Sequence, residues 1–245
     1  MKNKKQLDVR RMAVIGVLGA ISIVLGMTPL GFIPVGPTRA TIMHIPVIIG
    51  AIMEGPVVGG LVGLIFGIFS IYQAITAPTP VSFVFLNPVV SVIPRILIGI
   101  TTYYAYKMLT KIGNKGTVGL LYGIWLIIIA YLGKGLYNSI VSYETIWPLL
   151  MNSGLLVLTL VMAYFTIKIL REKALNLIIP TIIGTLTNTV LVLTMIYVFY
   201  GERFVEAIGQ DVSLARKIIV GIGVTNGIPE SIIAVIIVTS VVTAL

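Results

Sequence analysis

Arg95 is the residue best placed to do chemistry, because it puts a fixed positive charge inside FVFLNPVVSVIPRILIG, Phe83 to Gly99, a run otherwise apolar enough to lie in a membrane. Arginine at the centre of a lone membrane helix costs from about 2.5 to more than 10 kcal/mol, so such a residue faces a protein interior or a wet cavity with a partner. Its planar fork suits a carboxylate, and the chemistry expected is binding of an anion. The competing reading is an anchor, with Arg95 snorkelling to the outer headgroups. Asn87 lies eight residues earlier, about 12 Å away along a continuous helix and within about 80° around it, so one cavity can touch both. Pro88 and Pro94 flank this stretch, and proline at membrane depth frees backbone groups that need a polar neighbour.

The other polar residues at membrane depth are few. Asn188 sits in the run Gly184-Thr-Leu-Thr-Asn-Thr189, where it either bonds a neighbouring helix or contacts a ligand. Pro229-Glu230 reads as the opening of the last helix, with proline in the first turn and an acid complementing the dipole. Glu230 is then a cap, a partner for a nearby base, or a proton carrier. His44 has no second histidine or carboxylate at ligand spacing and reads as a packed residue, so no metal site is expected. Nor is there a nucleophile with a base, and no catalytic residue or cofactor is implied.

These residues need a membrane domain to hold them. Hydrophobic residues make up 58% of the 245 and charged residues 10%, and the mean hydropathy is +1.08. That composition belongs to a polytopic membrane protein, and no hydrophilic stretch is long enough for a soluble domain. Cysteine is absent, which excludes disulfides and thiolate chemistry. The net charge of +9 does not point to nucleic acid, because the basic residues fall in short loops. The basic segment Lys2 to Arg11 resembles the start of a signal peptide, yet the apolar run continues to about Leu30 without a clear cleavage site, so it reads as a retained span.

The pattern predicts an all-α chain of about eight spans forming one membrane domain, 1–245, covering 10–30, 42–53, 57–72, 87–108, 117–136, 146–169, 175–200 and 229–245; the apolar run 42–53 is short for a span, which is expected to begin near Arg39. Both termini are expected in the cytoplasm, because that arrangement places eleven lysines and arginines inside and five outside, leaving Arg95 within the membrane. Glu54-Gly55-Pro56 breaks the second and third spans. In the first span Ala13, Gly16 and Ala20 share nearly one face, a surface for close helix approach either within this chain or onto another membrane subunit. The loop Gly31 to Thr41, GFIPVGPTRAT, cannot be regular helix throughout, and with Arg39 it could cap a site or merely connect. Gly201 to Lys217 reads as the most hydrophilic loop, outside.

Taken in order, the small-residue first helix, HIPVIIGAIMEGPVVGGLVGLIFG, LNPVVSVIPRILIG, GTLTNTVLVL and GIPESIIAVII resemble substrate-binding S components of energy-coupling-factor vitamin transporters, in the pantothenate and folate group. The likeness covers about Arg10 to Lys111 and Leu175 to Leu245. It implies a six-helix bundle, into which 117–169 is inserted as a two-helix hairpin. It also implies a bacterial cell-membrane protein that captures a small water-soluble vitamin and works with a transmembrane scaffold subunit and two ATPase subunits. The lack of a GxxxxGK[ST] run in this chain agrees with that division of labour. By the same likeness the scaffold would dock on the Ala13, Gly16 and Ala20 face, with Gly16 replacing the usual alanine. The substrate site would lie near the outer face among Arg39, Asn87, Arg95, Asn188, Asn226 and Glu230. One arginine with several amides suits pantothenate, although folate also carries carboxylates. The alternative is a self-sufficient secondary transporter for a small organic anion, for which Glu54 and Glu230 are the candidate coupling carboxylates, both at expected span ends.

Overall fold

In a computed structural model of the chain, residues 9–35, 38–142 and 172–244 are described, together with 153, 156, 157, 159, 160 and 164. The elements are α1 (Val9–Met27), a hairpin of β1 (Phe32–Val35) and β2 (Thr38–Thr41), α2 (Ile45–Glu54), α3 (Pro56–Thr76), a short α4 (Pro88–Ser91), α5 (Ile93–Ser142), α6 (Glu172–Ala207) and α7 (Ala215–Ala244). The hairpin amends the all-α expectation. The proline-rich loop pairs antiparallel, with Phe32 opposite Thr41 and Val35 opposite Thr38, and the Ile42 N–H closes its base on the Gly31 carbonyl.

Two compact units are present, one formed by Met1–Lys107 with Leu177–Leu245 and the other by Met108–Asn176. In the first, α2 is the core. Every residue from Ile45 to Ile52 is buried, as expected of a helix apolar all the way round. Ten residues rise only about 15 Å, half a bilayer core, so α2 is a short buried element and not part of a span beginning near Arg39, where the chain is β2. It packs against α1, α3 and α7. Gly55, with φ 99°, supplies the turn into α3 that the Glu-Gly-Pro sequence called for. Glu54 lies at that turn and pairs with Arg10 at 3.1 Å and Arg11 at 3.5 Å.

Among the described residues five helical stretches are long and apolar enough to cross a membrane: Val9–Met27, Pro56–Thr76, Pro88–Gly113, Asn176–Ala207 and Val212–Ala244. The eight expected spans are thus not reproduced one for one, and most of 146–169 lies outside the described residues. Helix α5 runs into the second unit, departing from helical geometry at Gly113, where φ is 76°.

The C-terminal part differs most from expectation. Helix α6 continues to Ala207 and α7 begins at Ala215, so the hydrophilic segment is helical at both ends. Pro229 lies inside α7. The Pro-Glu pair therefore does not open a helix, and Glu230 sits mid-helix, beyond the reach of a terminal dipole.

Candidate functional site

Arg95 is held inward. It is 6% exposed, which sets aside the anchor reading, since a snorkelling arginine keeps its head in the headgroups. Its Nη1 donates to the Val90 carbonyl at 2.7 Å, and the guanidinium lies 5.4 Å from the Phe66 ring centroid and 5.6 Å from that of Phe85. Its buried Nε has no hydrogen-bond partner. Among the described residues no carboxylate comes within 4.0 Å of it.

Asn87 does something else. It is the N-cap of α4, where Oδ1 accepts from Val89 N at 2.9 Å, while Nδ2 donates to the Tyr200 hydroxyl at 3.2 Å. The Asn-Pro pair is a cap followed by proline at the first helical position, a local signal present in the sequence. Tyr200 lies twelve residues beyond Asn188 on α6, a rise of about 18 Å, so Asn87 and Asn188 stand at different levels. Around Asn87 the segment Ser82–Leu86 is tied down by the Ser91 hydroxyl, which donates to Phe85 O at 2.5 Å. Farther out, Phe83 packs edge-on against Tyr200, and the Arg203 guanidinium lies 4.3 Å from the Phe83 ring centroid.

Glu230 gathers three elements. From α7 its Oε1 accepts the Thr41 N–H of β2 at 2.7 Å, and its Oε2 accepts the Thr189 hydroxyl of α6 at 3.0 Å. No ion pair to Arg95 forms, so the two are not resting partners in contact, but each lies within the other's electrostatic field. Asn188, beside Thr189, is 8% exposed with an unpartnered Oδ1. One turn earlier on α6, Thr185 is bonded to His44 Nε2 at 3.1 Å, which accounts for the lone histidine as a packed residue. Asn226 lies one turn before Glu230 on α7 and is half-buried. Arg39 pairs with Pro34 through its backbone; its side chain lies outside the described residues. Sequence reasoning missed Thr185 and Thr189, although their four-residue spacing marks one face of the helix. It also missed the Thr41 amide, which has no signature in the sequence.

The face holding Ala13, Gly16 and Ala20 is exposed, whereas Gly19, Ser22 and Gly26 are the buried residues of α1. A Cβ at Gly16 would meet nothing within 4 Å, but one at Gly19 would strike Ile65. Among the described residues, Ala13, Gly16 and Ala20 therefore do not mediate close packing within the chain. Ala13 lines an apolar groove of about 510 Å³ between α1, α2 and α7, and a second groove of about 380 Å³ runs between α3 and α5. Neither contains the polar cluster.

Several apolar membrane-length helices with a buried cluster of charged and polar side chains among them define a multi-pass membrane transport protein. Comparison with known proteins makes this specific: residues 10–152 match the family model for the ECF transporter substrate-specific component, and the chain belongs to that family. It is similar to the pantothenic acid transporter PanT of Lactococcus lactis subsp. cremoris, 30% identical over 261 residues, covering 100% of this chain and 96% of that protein. It is also similar to the pantothenate transporter PanT of Leuconostoc mesenteroides subsp. mesenteroides, 36% identical over 99 residues, covering 39% of this chain and 48% of that one.

Proposed function

We propose that this protein captures pantothenate at the outer face of a bacterial cell membrane and delivers it inward with energy from partner subunits, a transmembrane scaffold and two ATPases. The observation that carries the reading is Arg95: buried, with an unpartnered Nε and no carboxylate at ion-pair distance among the described residues. A buried ion left uncompensated costs several kcal/mol, and a carboxylate-bearing ligand offsets that cost. The names of the two relatives supply the particular acid. In this reading Arg95 takes the carboxylate, and the polar groups of α6 and α7 take the hydroxyl and amide end. In this reading both termini are cytoplasmic, which the bias of lysine and arginine toward one set of loops supports.

Titration calorimetry of the detergent-solubilised chain with pantothenate tests the substrate. Saturable one-to-one binding is expected, and its absence alongside co-purification of an uncharged molecule removes the reading. Glu230, mid-helix and 5% exposed, is where a cation-coupled carrier would place its coupling carboxylate, so a second measurement separates the two mechanisms. Vesicles containing only this chain are expected to show no gradient-driven uptake, and uptake without ATPase partners favours the carrier.

A further inference from the structure

The interior holds two opposite charges that do not meet. Arg95 is clamped to the Val90 carbonyl from within its own helical stretch, and Glu230 is clamped to the Thr41 amide and the Thr189 hydroxyl. Both are more than nine-tenths buried and each feels the other's charge, yet they remain farther apart than 4.0 Å. Opposite charges in a low-dielectric interior attract, yet each group is bonded to its own partners and no ion pair joins the two.

The groups at the two ends of this gap differ in kind. At Arg95 the unpartnered atom, Nε, is a donor. At the other end the free capacity is accepting. A carboxylate offers about four acceptor sites, and Glu230 uses one on each oxygen, while the buried Oδ1 of Asn188, next in sequence to Thr189, has no partner. The complementary ligand is anionic at one end and carries O–H or N–H donors at the other. Resting on the pantothenate reading, we propose that Glu230 is a specificity-determining residue: its carboxylate accepts a hydroxyl or amide N–H of the substrate whose own carboxylate lies on Arg95. The same carboxylate rejects molecules bearing a second acid at that end, because like charges would meet in a desolvated site. Substrates are therefore hydroxylated or amide-bearing monoacids, and dicarboxylates of the same length are excluded.

The test couples ligand groups to the residue. Calorimetry on wild type and Glu230→Gln uses three ligands: pantothenate, its analogue lacking both hydroxyls, and its analogue with the terminal hydroxymethyl oxidised to a carboxylate. In wild type, loss of the hydroxyls weakens binding by about tenfold to a hundredfold, the range for hydrogen bonds to a charged group. In Glu230→Gln the same loss costs several-fold less, and the diacid gains affinity relative to wild type. Equal penalties in the two proteins overturn the inference while leaving pantothenate as substrate. If Glu230→Gln does not fold by thermal melt, the diacid on wild type decides: binding about a hundredfold weaker than pantothenate supports the proposal, and equal binding overturns it. If wild type binds no pantothenate, the underlying reading fails and this inference falls with it.

Discussion

Gly63 of α3 lies directly against the backbone carbonyl of Arg95. A Cβ there would overlap that carbonyl and come within 3.1 Å of the Ile96 Cα. Gly67 repeats the contact one turn away, where a Cβ would lie 2.8 Å from the Val92 Cα, and a Cβ at Gly59 would lie 3.0 Å from the Gly99 Cα. The glycines of α3 thus let it approach α5 closely and fix the position of the guanidinium beside Phe66. Small residues are how membrane helices achieve such contact.

Gly63→Ala is therefore expected to push the two helices apart, because backbone cannot rotate out of the way. Overpacking of this kind costs about 1–3 kcal/mol, and pantothenate affinity should fall with it. Gly60→Ala is the matched control, since its Cβ would meet only Ile96 Cγ2 at 3.8 Å. Thermal melts and calorimetry on the pair make the comparison; equal effects of both substitutions would show that the contact does not position Arg95.

Arg95→Gln keeps hydrogen-bonding capacity but removes the charge. Breaking one side of a buried ion pair commonly costs about 3–5 kcal/mol, so pantothenate affinity should drop by roughly two orders of magnitude or more. Arg95→Lys should recover part of the loss, because lysine lacks the fork. Wild-type affinity in a well-folded Gln variant rules out a carboxylate on Arg95.

On α1, replacing Gly16 and Ala20 with leucine should leave the fold and ligand binding intact, since both residues face outward and Gly16 has open space. Assembly with the scaffold subunit should suffer, because bulk on a small-residue face prevents close helix approach. Gly19→Leu should instead impair folding, its side chain being driven into Ile65. Wild-type yield of complex from the Gly16/Ala20 double variant in a pull-down would place the docking surface elsewhere.

Joining Lys111 directly to Lys173 removes the stretch proposed as an inserted hairpin. The cluster of Arg95, Glu230, Thr189 and Thr41 belongs entirely to the unit formed by Met1–Lys107 and Leu177–Leu245, so the shortened chain should still fold and bind. A monodisperse product with no ligand affinity would show that the removed segment helps build the site.

Hydropathy alone determined the class of this protein, because a 30 Å apolar solvent imposes long apolar helices whatever their packing. It also marked Arg95, since a charge in such a run has an energetic cost large enough to demand a reason. The Glu54-Gly55-Pro56 turn was legible for a similar local reason. The ends of the last helices were not. Pro180 and Pro229 both lie inside helices, where neighbouring helices compensate for the backbone groups that proline frees in a membrane. What only the tertiary structure decided was which polar groups meet. Asn87 is spent on a cap and on Tyr200, while Glu230 reaches across to a backbone amide 189 residues away. Such a bond depends on where β2, α6 and α7 pack, and a main-chain donor looks the same in every sequence.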